Sequence, residues 1–167
     1  RKAGYELAGC HFRTTLPLRA IGLRGGELAL REHEASDEAA TEALYRRVAA
    51  ERCGWLERGV YLWSRIRRPR NAVPVGFVVE GARGIEGYLW YHSERTEGWQ
   101  ARLVCSDLIA ATPAAARALL GFLAANGTMH GEATCLLPPE DPLLQLIPER
   151  CFESRLIERW MLRVLDP

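Results

Sequence analysis

Residues 99–137 read WQARLVCSDLIAATPAAARALLGFLAANGTMHGEATCLL, and this stretch decides the fold. Apolar and polar side chains alternate at its start, which predicts a β-strand. Thr112 followed by Pro113 is typical of a helix start, and the Asn-Gly pair at 126–127 is typical of a helix end. Residues 132–137 predict a further strand. A strand, a helix and a strand in succession form a βαβ unit, which requires a pair of parallel strands.

Before this unit the predicted order is one strand, two helices and two strands, and after it come a short helix and a strand. Two strands before it are joined by a glycine-containing turn at residues 81–84 and form a hairpin. The first helix starts at Ser36, and Asp37 and Glu38 place negative charge in its first turn. The sequence therefore predicts an α+β domain with one mixed sheet and helices packed on it. The other predicted elements are extended chain at 5–18, strands at 28–31, 75–80, 85–92 and 159–165, and helices at 36–53, 56–70 and 142–147.

The composition is that of a soluble globular protein, with 167 residues, of which 48% are hydrophobic and 26% charged. A net charge of +1 predicts no nucleic-acid partner and no attraction to an anionic membrane. The apolar runs are shorter than the roughly 18–20 residues that cross a bilayer. The first residues also lack the apolar stretch of a signal peptide. We therefore expect a cytoplasmic protein without a membrane partner.

The cysteines and histidines predict no metal site. The five cysteines are odd in number and have no C-x-x-C spacing, so neither a disulfide framework nor a zinc site is expected. We expect them to be reduced, mostly buried thiols. The four histidines are too scattered to bind a metal together. The cysteines are Cys10, Cys53, Cys105, Cys135 and Cys151, and the histidines are His11, His33, His92 and His130.

The order of elements resembles the acetyltransferase fold of the GNAT superfamily, an α+β fold whose mixed, mostly antiparallel sheet has helices on both faces. The first residues, RKAGYELAG at 1–9, resemble the closing strands of such a domain. The resemblance implies two such domains in tandem. Residues 1–16 would be the closing strands of a preceding GNAT domain, and 17–27 a connection. Residues 28–167 would form a second, coenzyme-free GNAT-like domain.

Three motifs resemble the central domain of N-acetyltransferases of the enhanced intracellular survival (Eis) type. They are GWLERGVYLW at 54–63, GYLWY at 87–91 and WMLRVLD at 160–166, of which the last is the most specific. The resemblance covers almost the whole chain. It implies an acetyl-CoA-dependent enzyme that acts on amine acceptors and forms a homo-oligomer. It also implies a GNAT domain before this chain and a sterol-carrier-like domain after it.

The expected coenzyme loop departs from the family pattern. GNAT domains hold the coenzyme pyrophosphate on N–H groups at a helix N-terminus, in a loop of pattern Arg/Gln-x-x-Gly-x-Gly/Ala. Here residues 107–114 read DLIAATPA, which has no Gly, Arg or Gln. Pro113 lacks an N–H group, and Asp107 places a negative charge just before the expected turn. We therefore predict no cofactor-binding and no catalytic residues here, with acetyl-CoA bound by the preceding domain.

The resemblance assigns to this domain one wall of the acceptor pocket. Amine acceptors are cationic, so such a wall requires aromatic faces and carboxylates. Trp63 matches the family's tryptophan and either contacts the acceptor or packs in the core. Asp166 ends the last strand and either pairs with an acceptor amine or is a solvated residue. Arg58 is either a structural ion-pair residue or a ligand.

Two hypotheses for function follow. In the first, the chain is a segment of an Eis-type N-acetyltransferase that lines the acceptor pocket and does not bind acetyl-CoA. In the second, it is a degenerate GNAT-fold binding or oligomerisation module without chemistry, since fold alone does not fix function.

Overall fold

The chain forms one seven-stranded sheet in the order β2-β3-β4-β5-β6-β1-β7. The structure is a computed structural model that describes residues 4–164. The strands are β1 (Glu6–Pro17), β2 (Ala29–Glu32), β3 (Val75–Gly81), β4 (Gly84–Glu94), β5 (Ala101–Ala110), β6 (His130–Cys135) and β7 (Glu153–Leu162). The helices are α1 (Glu38–Ala50), α2 (Val60–Arg67) and α3 (Pro113–Ala125).

The βαβ unit predicted from residues 99–137 is present. Strands β5 and β6 pair in parallel, and α3 connects them. Every other pair of neighbouring strands in the described sheet is antiparallel. The expected α+β fold with a mixed, mostly antiparallel sheet is confirmed.

Helices cover both faces of the sheet. Successive residues of a strand point to opposite faces, and Val78 and Val79 of β3 accordingly enter two different clusters. Val79 packs in the core under α3 with Leu103 and Leu119. Val78 packs with Trp63 in the core formed by α1 and α2. The larger core therefore lies under α3 and the smaller one under α1 and α2.

Strand β1 lies inside this sheet, between β6 and β7. Thr14 pairs with both Cys135 of β6 and Ser154 of β7. Thr14 and Leu16 are fully buried. Residues 6–16 are therefore part of the same sheet as residues 28–162, so no structural boundary separates them. The preceding domain that they were expected to close stays a prediction.

Some element bounds differ from the predicted ones because contacts distant in sequence decide them. The second helix begins at Val60 rather than at 56 and ends at Arg67. Gly59, the residue before Val60, is extended with ψ 175° and is the N-cap of the helix. The last strand begins at Glu153 rather than at 159, because it pairs with β1 along its length. The predicted helix at 142–147 is only a short 3-10 turn, Leu144–Leu146.

Candidate functional site

A cleft opens where β5 and β6 part. The two strands pair only between residues 101–104 and 130–134. Beyond that point β5 continues to Ala110, while β6 ends at Cys135. The cleft between β5, the start of α3 and residues 138–146 encloses about 620 Å³. Diverging parallel strands thus leave a wedge that faces a helix N-terminus.

The first turn of α3 has little capacity to hold an anion. Thr112 Oγ1 accepts a hydrogen bond from Ala115 N–H at 3.2 Å and donates one to Glu86 Oε2 at 2.9 Å. Pro113 has no N–H group to donate. The Glu86 side chain is buried, so a carboxylate of the chain itself already faces the positive end of this helix. Sequence reasoning missed Glu86, since nothing in its local pattern ties it to residue 112.

Asp107 does not lie in the turn before α3, as the sequence suggested, but inside β5. Strand β5 extends to Ala110 because it pairs with Gly87 of β4 there. Arg58 donates two hydrogen bonds to the Asp107 carboxylate, at 2.5 and 3.0 Å, and the Tyr88 hydroxyl donates a third at 2.7 Å. The charge of Asp107 is therefore compensated within the chain. The carboxylate that is hydrogen-bonded at the start of α3 is that of Glu86.

Arg58 joins this ion pair to the aromatic core. Its Cζ lies 3.5 Å from the Tyr45 ring centroid and 5.1 Å from that of Trp63. Burial lowers the pKa of Arg58, but the charge and hydrogen bonds of Asp107 outweigh burial and raise it. Burial, together with the charge of Asp107, raises the pKa of Tyr88 far above its usual range, so the phenol keeps its proton. Of the two roles considered for Arg58, the structure shows the ion pair.

Trp63 lies in the smaller core and is only 4% exposed. Tyr45 meets its ring nearly at right angles, with centroids 5.6 Å apart. The guanidinium of Arg67 lies 4.9 Å from the Trp63 centroid, in addition to that of Arg58. Trp63 therefore packs in the core and already contacts two cations of the chain itself. Its contact with an acceptor stays a prediction.

A smaller pocket of about 340 Å³ lies beside Trp63. Its polar and aromatic lining residues are Glu42, Glu57, Arg46, Arg58, Tyr45, Trp55 and Trp63. Trp55 also lines the larger cleft and so separates the two cavities. Its ring stacks on Tyr45 at 5.7 Å, and the guanidinium of Arg52 lies 4.6 Å from it. Trp55 and Glu57 were not predicted as site residues, although both fall within the GWLERGVYLW motif.

The remaining predicted site residue, Asp166, lies outside the described residues, and its role stays a prediction. Among residues 4–164, no group of three or more His, Cys, Asp or Glu side chains is arranged to hold a metal ion. No helix within the same range is long and apolar enough to cross a membrane.

Comparison with known proteins places this architecture in one family. A family model of the acetyltransferase (GNAT) domain matches residues 54–164, about two thirds of the chain. No curated protein matches the chain by sequence.

Several solved structures share the fold over 99% of the chain. A GCN5-related N-acetyltransferase from Anabaena variabilis ATCC 29413 is 26% identical, with a TM-score of 0.90, and the match covers 43% of that protein. One from Kribbella flavida is 26% identical, with a TM-score of 0.70 over 40% of its length. Eis1 from Mycobacterium abscessus is 22% identical, with a TM-score of 0.71 over 44% of its length. The chain thus spans less than half the length of these proteins.

Proposed function

Because the chain belongs to the acetyltransferase (GNAT) domain family, we propose that it is the central, coenzyme-free domain of an Eis-type N-acetyltransferase. The full protein would transfer an acetyl group from acetyl-CoA to an amine acceptor. Eis1 from Mycobacterium abscessus is among the structures that share the fold, and the chain spans 44% of it. In this proposal a GNAT domain precedes the chain, a sterol-carrier-like domain follows it, and the protein is a cytoplasmic homo-oligomer.

The observation that carries the coenzyme-free assignment is the occupied first turn of α3. A pyrophosphate needs several unpaired N–H groups at a helix N-terminus. Pro113 has none, and that of Ala115 is bonded to Thr112. Glu86 adds a buried carboxylate at hydrogen-bond distance from the Thr112 side chain. A second anion at this position would be repelled, so the preceding domain is the better site for acetyl-CoA.

The proposed chemistry therefore takes place in the preceding domain. The acceptor nitrogen attacks the acetyl carbonyl carbon, and the thioester carbon–sulfur bond breaks. A base removes the proton from the nitrogen, and an acid protonates the leaving thiolate. The present domain would supply a wall of the acceptor pocket. Trp63 and Asp166 are the residues we propose for contact with the amine, and the carboxylates and aromatic rings beside Trp63 support this assignment.

The second candidate is a GNAT-fold module that serves binding or oligomerisation and has no part in acceptor recognition. One observation favours it: the guanidinium groups of Arg58 and Arg67 already lie against the ring of Trp63. An acceptor ammonium would have to compete with both of them.

Calorimetric titration of acetyl-CoA into the 167-residue chain tests the coenzyme-free assignment. We expect no binding at millimolar coenzyme, whereas the full-length protein should bind with micromolar affinity. Micromolar binding to the chain alone would refute the proposal and make this domain a candidate catalyst.

Acetylation kinetics of the full-length protein separate the two candidate functions. Trp63→Phe keeps an apolar ring but weakens the cation–π contact, so a pocket role predicts a several-fold rise in the KM for the amine. Trp99→Phe is the matched control, because Trp99 is 81% exposed and lines neither cavity. Unchanged kinetics in both variants would favour the module.

A further inference from the structure

Two of the five cysteines are neighbours just beyond the last paired residues of β5 and β6. Val104 and Thr134 are the last paired residues of the parallel strands β5 and β6, so Cys105 and Cys135 follow side by side. Both are buried in the core under α3. Neighbouring strands lie about 4.8 Å apart, and disulfides bridge Cα separations of about 4.4–6.8 Å. The register therefore places the two thiols where a disulfide is sterically possible.

The two thiol groups also interact in the reduced protein. Hydrogen bonding to Cys135 is the main cause, before burial, of a raised pKa for the Cys105 thiol. A raised pKa disfavours the reactive thiolate, so the closed structure protects the pair from oxidation. Only these two of the five cysteines are buried, whereas Cys10 and Cys53 are exposed and Cys151 is half-buried, so the expectation of mostly buried cysteines was wrong.

We propose that Cys105 and Cys135 form a dithiol that a hydroperoxide oxidises to a disulfide. The thiolate sulfur of one cysteine attacks a peroxide oxygen, and the oxygen–oxygen bond breaks. The leaving oxygen takes up the thiol proton, which yields a sulfenic acid and, from hydrogen peroxide, water. The second sulfur then attacks the first, the sulfur–oxygen bond breaks, and a second water leaves. One peroxide is reduced and two thiols are oxidised.

Access to the pair depends on the end of β6. Cys135 is the last residue of that strand and still pairs with Thr14 of β1, while Leu136 after it is 58% exposed. Strand ends open locally at a lower free energy than the core does. Hydrogen peroxide is scarcely larger than water and can enter through such an opening. Oxidation is therefore expected to be slow and limited by the opening rate.

The disulfide would change the point at which β5 and β6 part and the stability of the domain. It would hold β5 to β6 one residue beyond their last pairing, at the narrow end of the wedge. It would also close a covalent loop around the whole of α3, which restricts the unfolded chain. This inference concerns the fold itself and does not depend on the proposed acetyltransferase role.

The test uses the full chain with Cys10→Ser, Cys53→Ser and Cys151→Ser, which leaves only the pair. After treatment with hydrogen peroxide we expect loss of both thiols, a peptide link between residues 105 and 135, and reversal by dithiothreitol. The thermal midpoint should rise by roughly 5 °C or more. The matched control adds Cys105→Ala, and it should form no internal link.

Peptide mapping of the peroxide-treated wild-type chain provides a second test that needs no variant to fold. The same link should appear there once Cys10 and Cys53 have been oxidised. The proposal is overturned if both buried thiols stay reduced after prolonged exposure, or if they form sulfinic acids without a link.

Discussion

At the residue scale, Arg58 shows how the chain fills a cation site with its own side chain. Its guanidinium lies on the Tyr45 ring and pairs with the Asp107 carboxylate in a bidentate geometry. An aromatic face and a carboxylate are the groups that recognise ammonium and guanidinium ligands in general. The arrangement fixes the loop at 51–59 to the sheet, because Arg58 belongs to that loop and Asp107 to β5.

The Arg58–Asp107 pair should therefore contribute strongly to stability. Both side chains are largely buried, with 16% and 8% exposed. Arg58→Met leaves a buried carboxylate without its cation, and we expect the free energy of unfolding to fall by about 3–5 kcal/mol. Urea denaturation measures this change.

The exposed pair of Arg155 with Glu153 is the matched control for that measurement. Arg155→Met should change the free energy of unfolding by about 1 kcal/mol at most, since solvent screens an exposed pair. If both variants lost the same free energy of unfolding, the Asp107 carboxylate would not depend on Arg58 for its stabilisation.

A second ion pair, between Arg31 and Asp37, makes stability depend on pH. Arg31 donates a hydrogen bond to Asp37 at 2.6 Å, and this bond, against a smaller effect of burial, lowers the pKa of Asp37 from 3.8 to about 2. A folded-state pKa below the unfolded value means that ionisation favours folding. The contribution is complete above pH 4 or so and is lost as the pH falls toward about 2.

We therefore expect Asp37→Asn to lower the free energy of unfolding by about 1.5–3 kcal/mol near pH 6. The difference from the wild type should shrink steadily between about pH 4 and pH 2. Urea denaturation at several pH values measures it, and Glu153→Gln, at an exposed position, is the control. A difference that stays constant with pH would contradict the assignment.

At the element scale, the start of α3 could be predicted and the start of α2 could not. The signals for α3 are local, because Thr112 caps the helix and Pro113 occupies its first position. The region before α2 is instead shaped by the ring of Trp55 on Tyr45 and by the pairing of Arg58 with Asp107. Such contacts join residues far apart in sequence and leave no periodic pattern.

The same distinction applies to the candidate site. The sequence itself shows that the loop before α3 has no glycine, and this led to the prediction of a coenzyme-free domain. The expectation that Asp107 places a negative charge just before this turn was wrong, because Asp107 lies inside β5 and pairs with Arg58, whereas Glu86 bonds to Thr112 at the helix start. Glu86 and Thr112 are 26 residues apart, so only the folded sheet brings them together.

The capping contacts of α3 give a prediction at this scale. Thr112→Ala removes the acceptor for Ala115 N–H and the donor to Glu86. We expect a loss of about 1–2 kcal/mol in the free energy of unfolding, measured by urea denaturation. Thr112→Ser keeps the hydroxyl and should remain close to the wild type. A similar loss in both variants would attribute the effect to the methyl group rather than to the cap.

At the scale of the whole molecule, β1 near the start of the chain pairs with β7 near its end. Residues 14–17 of β1 pair with β6, and residues 6–15 pair with β7. A chain that starts at residue 28 lacks this interior strand, which lies between β6 and β7. We expect that truncation to lose the cooperative thermal transition seen by circular dichroism.

Removal of residues 1–9 alone is the control for that truncation. Among the described residues of this segment, 6–9 form the mostly exposed start of β1, whereas Thr14 and Leu16 remain in place. This shorter truncation should keep the cooperative transition. Cooperative folding of residues 28–167 by themselves would instead support a boundary near residue 27.

The position of β1 also has a consequence for how the protein is made. The ribosome produces β1 before the other strands of this sheet, but its partner β6 begins 113 residues after the end of β1, and β7 lies farther still. Sheets built from such distant pairings fold slowly, because a long loop must close before the contacts form. The apolar side chains of β1 that are buried in the folded domain, such as Leu16, therefore have no packing partners during most of translation. Nascent chains of this domain should depend on a chaperone that shields this first strand until the final one has left the ribosome.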